Sequence, residues 1–196
     1  MFGLFTPQNV RFLTIQRILG RSIEERDKII ESREEFGHWE IDTVIGVKDK
    51  DDEVLLTLAE RKTRQFITKK INNKGKDAVM EAIAEITQEY GDKFSEVFKI
   101  ITGDNGQKFA DLSILELITS TKIYFTYPYS SFKKGTNERH NGLICRFIHK
   151  GSPIAKYTLD DIAFIEDWCN MLPRKLLGYK APFELFEAVL DIIYAA

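Results

Sequence analysis

The pattern of apolar and polar positions changes period several times along the chain, and each change marks a change of element. Trp39, Ile41, Thr43, Ile45 and Val47 alternate with Glu40, Asp42, Val44 and Gly46, which predicts a strand over 39–47. Val54-Leu55-Leu56-Thr57-Leu58 reads as a second strand and residues 65–71 as a third, and the short links make the three an antiparallel meander. Val79, Ile83 and Ile86 then recur at helical spacing, so 76–90 is a helix ended by Gly91. A short apolar strand over 98–102 follows. Phe109, Leu112, Leu115 and Ile118 suggest the stripe of a second helix, and Ile123-Tyr124-Phe125 a fifth strand. Residues 127–136 have loop composition, and helices are expected over 137–149, 158–170 and 182–194, the last with Pro182 near its first turn.

Before the first strand, residues 11–35 carry many charges of both signs and read as a helical or arm-like extension. Ser22 and Glu25 are placed there as a helix-starting pair. The organisation is therefore an N-terminal extension over 1–36 and one core domain over 37–196. A meander followed by alternating helices and strands implies a mixed five-stranded α/β sheet with helices on both faces. That order matches the ribonuclease-H-like architecture, which by itself fixes no function.

Composition changes this picture little: 43% apolar and 30% charged residues in 196 are ordinary for a globular domain. No apolar run approaches the ~18 residues of a membrane span, and the start lacks the plan of a signal peptide. The expectation is a cytoplasmic protein with no membrane partner. Cys145 and Cys169 show no paired spacing, which fits a reducing compartment. The net charge is only −2, yet residues 122–150 hold six bases against the single acid Glu138, a local net of +5. Asp49, Asp51, Asp52 and Glu53 crowd one stretch that reads as a solvated turn.

Three acids stand at comparable places: Asp42 within the first strand, Asp104 just past the fourth, Glu138 at a helix start. Phosphodiester chemistry with divalent metal requires hard carboxylate oxygens converging on one point, and two ions about 3.5–4 Å apart can serve both the attacking and the leaving oxygen. Each acid alone also has an ordinary reading. Asp42 fits a solvent-facing strand position, Asp104-Asn105-Gly106 a tight turn, and Glu138 an acid favoured by the helix dipole. On a helical projection Leu143, Ile144, Phe147 and Ile148 share one face, while Glu138, Gly142, Cys145, Arg146 and His149 share the other. His140 falls on the apolar side and reads as a structural histidine. Lys133, Lys134, Arg139 and Arg146 are the candidate phosphate contacts.

Several blocks in order resemble the IS-thirty group of insertion-sequence transposases. Phe36-Gly37-His38-Trp39-Glu40-Ile41-Asp42-Thr43-Val44 resembles the first catalytic block, and Asp104-Asn105-Gly106 with Phe109 the second. Tyr129-Ser130-Ser131 through Gly135-Thr136-Asn137-Glu138, with Asn141-Gly142-Leu143-Ile144, resembles the third. Pro173-Arg174-Lys175, Leu177-Gly178-Tyr179 and Pro182 resemble the closing segment, and 33 residues separate Asp104 from Glu138 as in DDE enzymes. The resemblance implies an integrase-type catalytic core in which Asp42, Asp104 and Glu138 bind two magnesium or manganese ions. It also implies cleavage and strand transfer of transposon ends into target DNA by a homo-oligomer, without a covalent protein–DNA intermediate. Lys108 stands where the group commonly has an acid, Phe132 where it usually has Trp, and Cys145 where Arg is frequent. Residues 1–19 are too short for the helix-turn-helix region that members usually carry, so recognition of specific element ends is not expected of this chain.

Two other functions compete. One is a ribonuclease-H-like nuclease, which shares the acids but has no need of the block over 129–143. The other is an inactive or truncated DNA-binding remnant that interferes with a full-length transposase. A zinc enzyme is disfavoured, because His38, His140, His149 and the two cysteines show no recurring ligand spacing.

Overall fold

The computed structural model describes residues 19–48, 52–127 and 135–196, apart from the side chain of Glu138. Strand β1 is Arg21–Ser22, β2 His38–Ile45, β3 Val54–Glu60, β4 Phe66–Ile71, β5 Ile100–Asp104 and β6 Lys122–Thr126. They form one mixed sheet in the order β1-β6-β5-β2-β3-β4. The β2–β3–β4 meander is antiparallel, while β5 joins β2, and β6 joins β5, in parallel. The sheet thus has six strands, where the sequence pattern indicates five. The additional strand β1 pairs parallel with β6 through only two residues, too few to show any alternation.

Each face of the sheet is covered by helices, and the alternation along β2 decides what meets which. Trp39 and Ile41 point into the larger core with Leu56, Leu58, Ile101 and Ile123. This core is closed by Val79, Ile83 and Ile86 of α1 (Lys76–Tyr90) and by Phe186 of α6 (Pro182–Ala195). On the opposite face Leu55, Ala59 and Phe66 pack against Ile144 of α4 (Gly135–Ile144) and against Ile162, Ile165 and Cys169 of α5 (Leu159–Met171). Strand β3 is buried along its whole length, which explains its nearly unbroken apolar run. An aromatic stack anchors the larger core: Phe98 lies 4.6 Å from Trp39, 4.7 Å from Phe94 and 5.1 Å from Tyr90, ring centre to ring centre.

Most predicted elements are present, with informative differences. Strand β5 begins at Ile100 because Phe98 closes the short helix α2 (Phe94–Val97), its N–H donating to Phe94 O. The helix expected over 109–118 is instead two 3₁₀ turns, Gln107–Phe109 and Leu112–Ile114, and a single turn of α3 (Leu115–Ile118). The cause is the spacing itself, since apolar residues strictly three apart line up on a 3₁₀ turn and drift around an α-helix. Helix α4 ends at Ile144, five residues early, and tightens through Arg146 N–H to Leu143 O and Phe147 N–H to Ile144 O.

The described part of the extension, from residue 19, is not an α-helix. Ser22 and Glu25 do form a capping box, but on a single 3₁₀ turn, Ile23–Glu25. The acidic turn differs too. Asp49 and Asp51 lie outside the described residues, but Asp52 is buried and not solvated. Its carboxylate accepts from Ile154 N–H at 3.0 Å and Ala155 N–H at 3.1 Å. The chain over 151–154 can run so close to the end of β2 because Gly46 has no side chain; a Cβ there would sit 2.1 Å from Ser152 O. No helix among the described residues is long and apolar enough to cross a membrane.

Phe98→Ala should cost about 3–5 kcal/mol, the usual range for deleting a fully buried phenyl ring. Urea unfolding followed by fluorescence checks this, with a lowered midpoint at unchanged slope as the expected result.

Candidate active site

Asp42 and Asp104 come from adjacent parallel strands. The β2–β5 register runs from His38↔Ile100 to Glu40↔Thr102, and continuing it by two residues sets Asp42 level with Asp104. Both acids stand at the C-terminal end of the parallel pair, where open α/β sheets carry their ligand crevices. Local backbone fixes each carboxylate. Asp42 Oδ1 accepts from Thr43 N–H at 2.8 Å, and Asp104 Oδ1 from Gly106 N–H at 2.8 Å. Both side chains keep about a third of their surface accessible, 28% and 34%.

The two carboxylates converge on one cation, and it is a side chain of this protein. Lys108 Nζ lies 3.1 Å from Asp42 Oδ1 and 3.0 Å from Asp104 Oδ2, and it donates to Thr43 Oγ1 at 3.0 Å. The 3₁₀ turn that replaces the expected helix brings Lys108 there, four residues after Asp104. The ammonium marks where a positive charge between these acids is best placed.

Glu138 lies on α4, its side chain outside what the structure describes. The helix that carries it is held against the same part of the sheet. Asn137 donates through Nδ2 to Glu40 O at 2.9 Å and to Thr57 O at 3.3 Å. Thr57 is the cross-strand partner of Asp42, and its hydroxyl donates to Asn137 Oδ1 at 3.1 Å. A neighbouring residue on the helix, Asn137, is thereby fixed over the strand pair that bears Asp42. Among the described residues no group of three or more His, Cys, Asp or Glu side chains is gathered closely enough to hold a metal ion.

What locks α4 in place is Glu40, two residues before Asp42 and on the same face of β2. Its Oε2 accepts from Thr136 N–H at 3.0 Å and Asn137 N–H at 2.9 Å, capping the helix start with a full negative charge. Its Oε1 faces Arg61 Nε at 3.2 Å, with both side chains 1% exposed. The turn between β3 and β4 adds Arg64 Nη1, donating to Thr136 Oγ1 at 2.9 Å. His140 is structural, as its place on the helix indicates. Its ring stacks on Phe66 at 5.0 Å, lies between Thr136 O and Arg64 O, and is pushed by burial to a pKa of about 4.

Of the candidate phosphate contacts, Lys133 and Lys134 lie outside the described residues. Arg139 and Arg146 are exposed, the latter 5.5 Å over the Trp168 ring. Cys145, Gly142 and His149 are exposed on the same stretch while Ile144 and Ile148 are buried, so the two faces read from the sequence are real. Glu40, Thr57 and Asn137 were not singled out by sequence reasoning. The available signal was the Glu40–Asp42 spacing, which puts both carboxylates on one face of the strand.

No family model matches the chain. It is 40% identical over 169 residues to the probable transposase for insertion-like sequence element IS1161 of Streptococcus salivarius, covering 86% of this chain and 47% of that protein. It is 37% identical to the transposase for insertion sequence element IS4351 of Bacteroides fragilis, covering 86% and 50%, respectively. It is also 36% identical over 178 residues to transposase InsI for insertion sequence element IS30A of Escherichia coli K12, covering 89% and 44%. The chain spans about half the length of the curated relatives it matches. Among solved structures, the catalytic core domain of BIV integrase superposes with a TM-score of 0.59, over 82% of this chain and 99% of that one. At 15% identity that likeness is one of fold, the ribonuclease-H-like fold expected from the element order.

Glu40→Gln should destabilise the protein by about 3–5 kcal/mol, because it removes the buried carboxylate facing the Arg61 guanidinium and leaves only the exposed Glu31, 3.7 Å away. Denaturant unfolding of the variant beside wild type measures the loss.

Proposed function

We propose that this chain, a relative of the IS30 transposases along most of its length, is the catalytic core of a DDE transposase, a polynucleotidyl transferase that cuts transposon ends and joins them to target DNA. The observation that carries this reading is the convergence of Asp42 and Asp104 on a single cation position, beside a helix start that bears Glu138. The Lys108 ammonium acts as a stand-in ion, and the donor set around it is the hard oxygen set that magnesium and manganese prefer. Asp42, Asp104 and Glu138 are the residues proposed to hold two such ions. When bound, divalent ions supply Lewis-acid activation of the attacking hydroxyl and stabilise the leaving oxygen.

The protein's own residues do the rest by position. Glu40, Thr57 and Asn137 set the distance between α4 and the strand of Asp42, and so the place from which Glu138 acts. Lys108 keeps the aspartates neutralised until its ammonium is displaced. Arg139 and Arg146, with Lys133 and Lys134, are proposed to meet phosphates of DNA, the partner of the reaction; they position the strand without reading its sequence. Assembly as a homo-oligomer and action at the nucleoid in the cytoplasm belong to the same proposal.

One observation favours a second reading. An ammonium already paired with two of the acids suits a silent DNA-binding remnant that interferes with a full-length transposase. The two readings differ in nicking. Labelled DNA carrying a transposon end, incubated with the chain and magnesium or manganese, is cut at the 3′ end under the first and only bound under the second.

Asp42→Asn, Asp104→Asn and Glu138→Gln should each abolish metal-dependent cleavage while leaving the circular dichroism spectrum and DNA binding in place. An acid whose variant cleaves like wild type has no part in the site.

Lys108→Met should change stability by no more than about 1 kcal/mol, because the ion pairs it removes are partly exposed. Its aspartates then repel each other, so manganese should raise the thermal midpoint of the variant more than that of wild type. An equal rise in both would remove Lys108 as a competitor of the metal.

A further inference from the structure

A cavity of about 320 Å³ opens between α4 and the turn that follows α5, away from the paired aspartates. Four cations line it: Arg64 from the β3–β4 turn, Arg139 from α4, and Arg174 and Lys175 from the closing segment. Among the described residues, no carboxylate lines it and none is ion-paired with these four. His140, also in the wall, brings no charge, because burial holds it neutral above a pKa of about 4.

The two inner arginines are short of partners. Arg64 is 8% exposed, and its Nε makes no hydrogen bond, although Nη1 donates to Thr136. Arg174 donates from Nη2 to Cys169 O at 2.8 Å, and its Nε is likewise without an acceptor. Burial first, and then the neighbouring cation Arg33, pushes Arg64 down to about 10. Burial also lowers Arg174, with Arg146 adding to the effect. The acids nearest Arg64 are already engaged, Glu40 with the start of α4 and Glu60 with Thr63, Lys62 and Gly37. Cations gathered at a cavity without an acid are a standing electrostatic cost that a bound anion removes.

We infer that this cavity is a strand-binding pocket that takes one nucleotide of DNA, with Arg139, Arg174 and Lys175 on its phosphate and the sugar against Leu143, Pro173 and Leu176. The inference rests on the proposed DNA-transfer reading. Guanidinium groups suit phosphate oxygens in number and geometry. The volume exceeds that of a lone phosphate ion, and the apolar walls suit the carbon skeleton attached to it. Helix α4 joins this pocket to the acids, since Thr136, Arg139, His140 and Leu143 face the cavity while Asn137 and Asn141 face Thr57. A strand held in the pocket therefore reaches the aspartates at a fixed offset, which makes the pocket a ruler for the position of the cut. It also gives the Pro173-Arg174-Lys175 motif a role that the acidic site does not.

The test uses the whole chain in EDTA, with fluorescently labelled duplex and single-stranded DNA titrated across a range of salt. The paired substitution Arg139→Gln, Lys175→Gln removes two exposed cations without touching the buried ones. It should make the plot of log affinity against log salt shallower by about 0.9 unit on duplex and about 0.7 unit on single strands, the share of one phosphate. Lys76→Gln, a remote control whose lysine pairs with Asp111, should leave the slope unchanged. On cleavable DNA with manganese, the paired variant should also shift or blur the position of the nick.

An unchanged slope overturns the pocket, and so does a loss no larger than that of the control. Inorganic pyrophosphate that raises the thermal midpoint of wild type, but not of the paired variant, while the DNA slope stays unchanged would assign the pocket to free phosphate compounds instead. DNA binding with the expected slope change but no nicking by wild type leaves the pocket standing and sinks the transferase reading alone. Absence of any DNA binding sinks both.

Discussion

A buried carboxylate has to be satisfied, and the way Glu40 is satisfied fixes the geometry of this molecule's acidic site. One of its oxygens takes the Arg61 guanidinium and the other takes two N–H groups at the start of α4. Burying an ion costs several kcal/mol unless pairing and hydrogen bonds make it up. The helix is therefore held at the one place on the sheet where that cost is met. Because Glu40 and Asp42 share a face of β2, the helix bearing Glu138 and the strand bearing Asp42 are not independently placed. Asn137 and Thr57 complete the link through uncharged hydrogen bonds.

The aspartates are balanced by the opposite arrangement. Lys108 reaches them as a flexible, partly exposed side chain, and an ion pair of that kind contributes little to stability. It is a contact that can be exchanged. The Glu40–Arg61 pair lies inside the fold and cannot be broken without a large loss. The same sheet end thus carries a rigid, buried electrostatic joint, which holds position, beside a softer and partly exposed one. The cationic cavity on the flank of α4 adds a third charge arrangement, in which positive groups gather around a wall that holds no acid among the described residues.

Much of this was legible in the chain because it depends on local period and on motif order. The alternation from Trp39 onward gives the meander, the 3.6-residue stripe gives α1, and Thr158 and Pro182 stand where α5 and α6 begin. The ordered blocks around Asp42, Asp104 and Glu138 carry the resemblance to the IS-thirty group, and the similarity to two insertion-sequence transposases runs over 86–89% of the chain. Misreadings arose where a local signal has two meanings. Apolar residues at spacing three describe 3₁₀ turns as well as an irregular helix stripe. An acidic run describes a solvated turn until one of its members, Asp52, is needed to cap a distant segment.

The sequence by itself determined the order of the main strands and helices and the face on which their side chains emerge. Those follow from backbone period and side-chain chemistry, which are properties of neighbouring residues. Only the tertiary structure decided that a two-residue strand completes the sheet and that Lys108 spans Asp42 and Asp104. It alone decided that Glu40 is the joint between strand and helix, and that Arg64, Arg139 and Arg174 share a cavity. Each of these unites residues far apart in sequence, or turns on a local bend that sets a side chain's direction. Which charges meet is fixed by how buried groups find partners once the chain has closed upon itself.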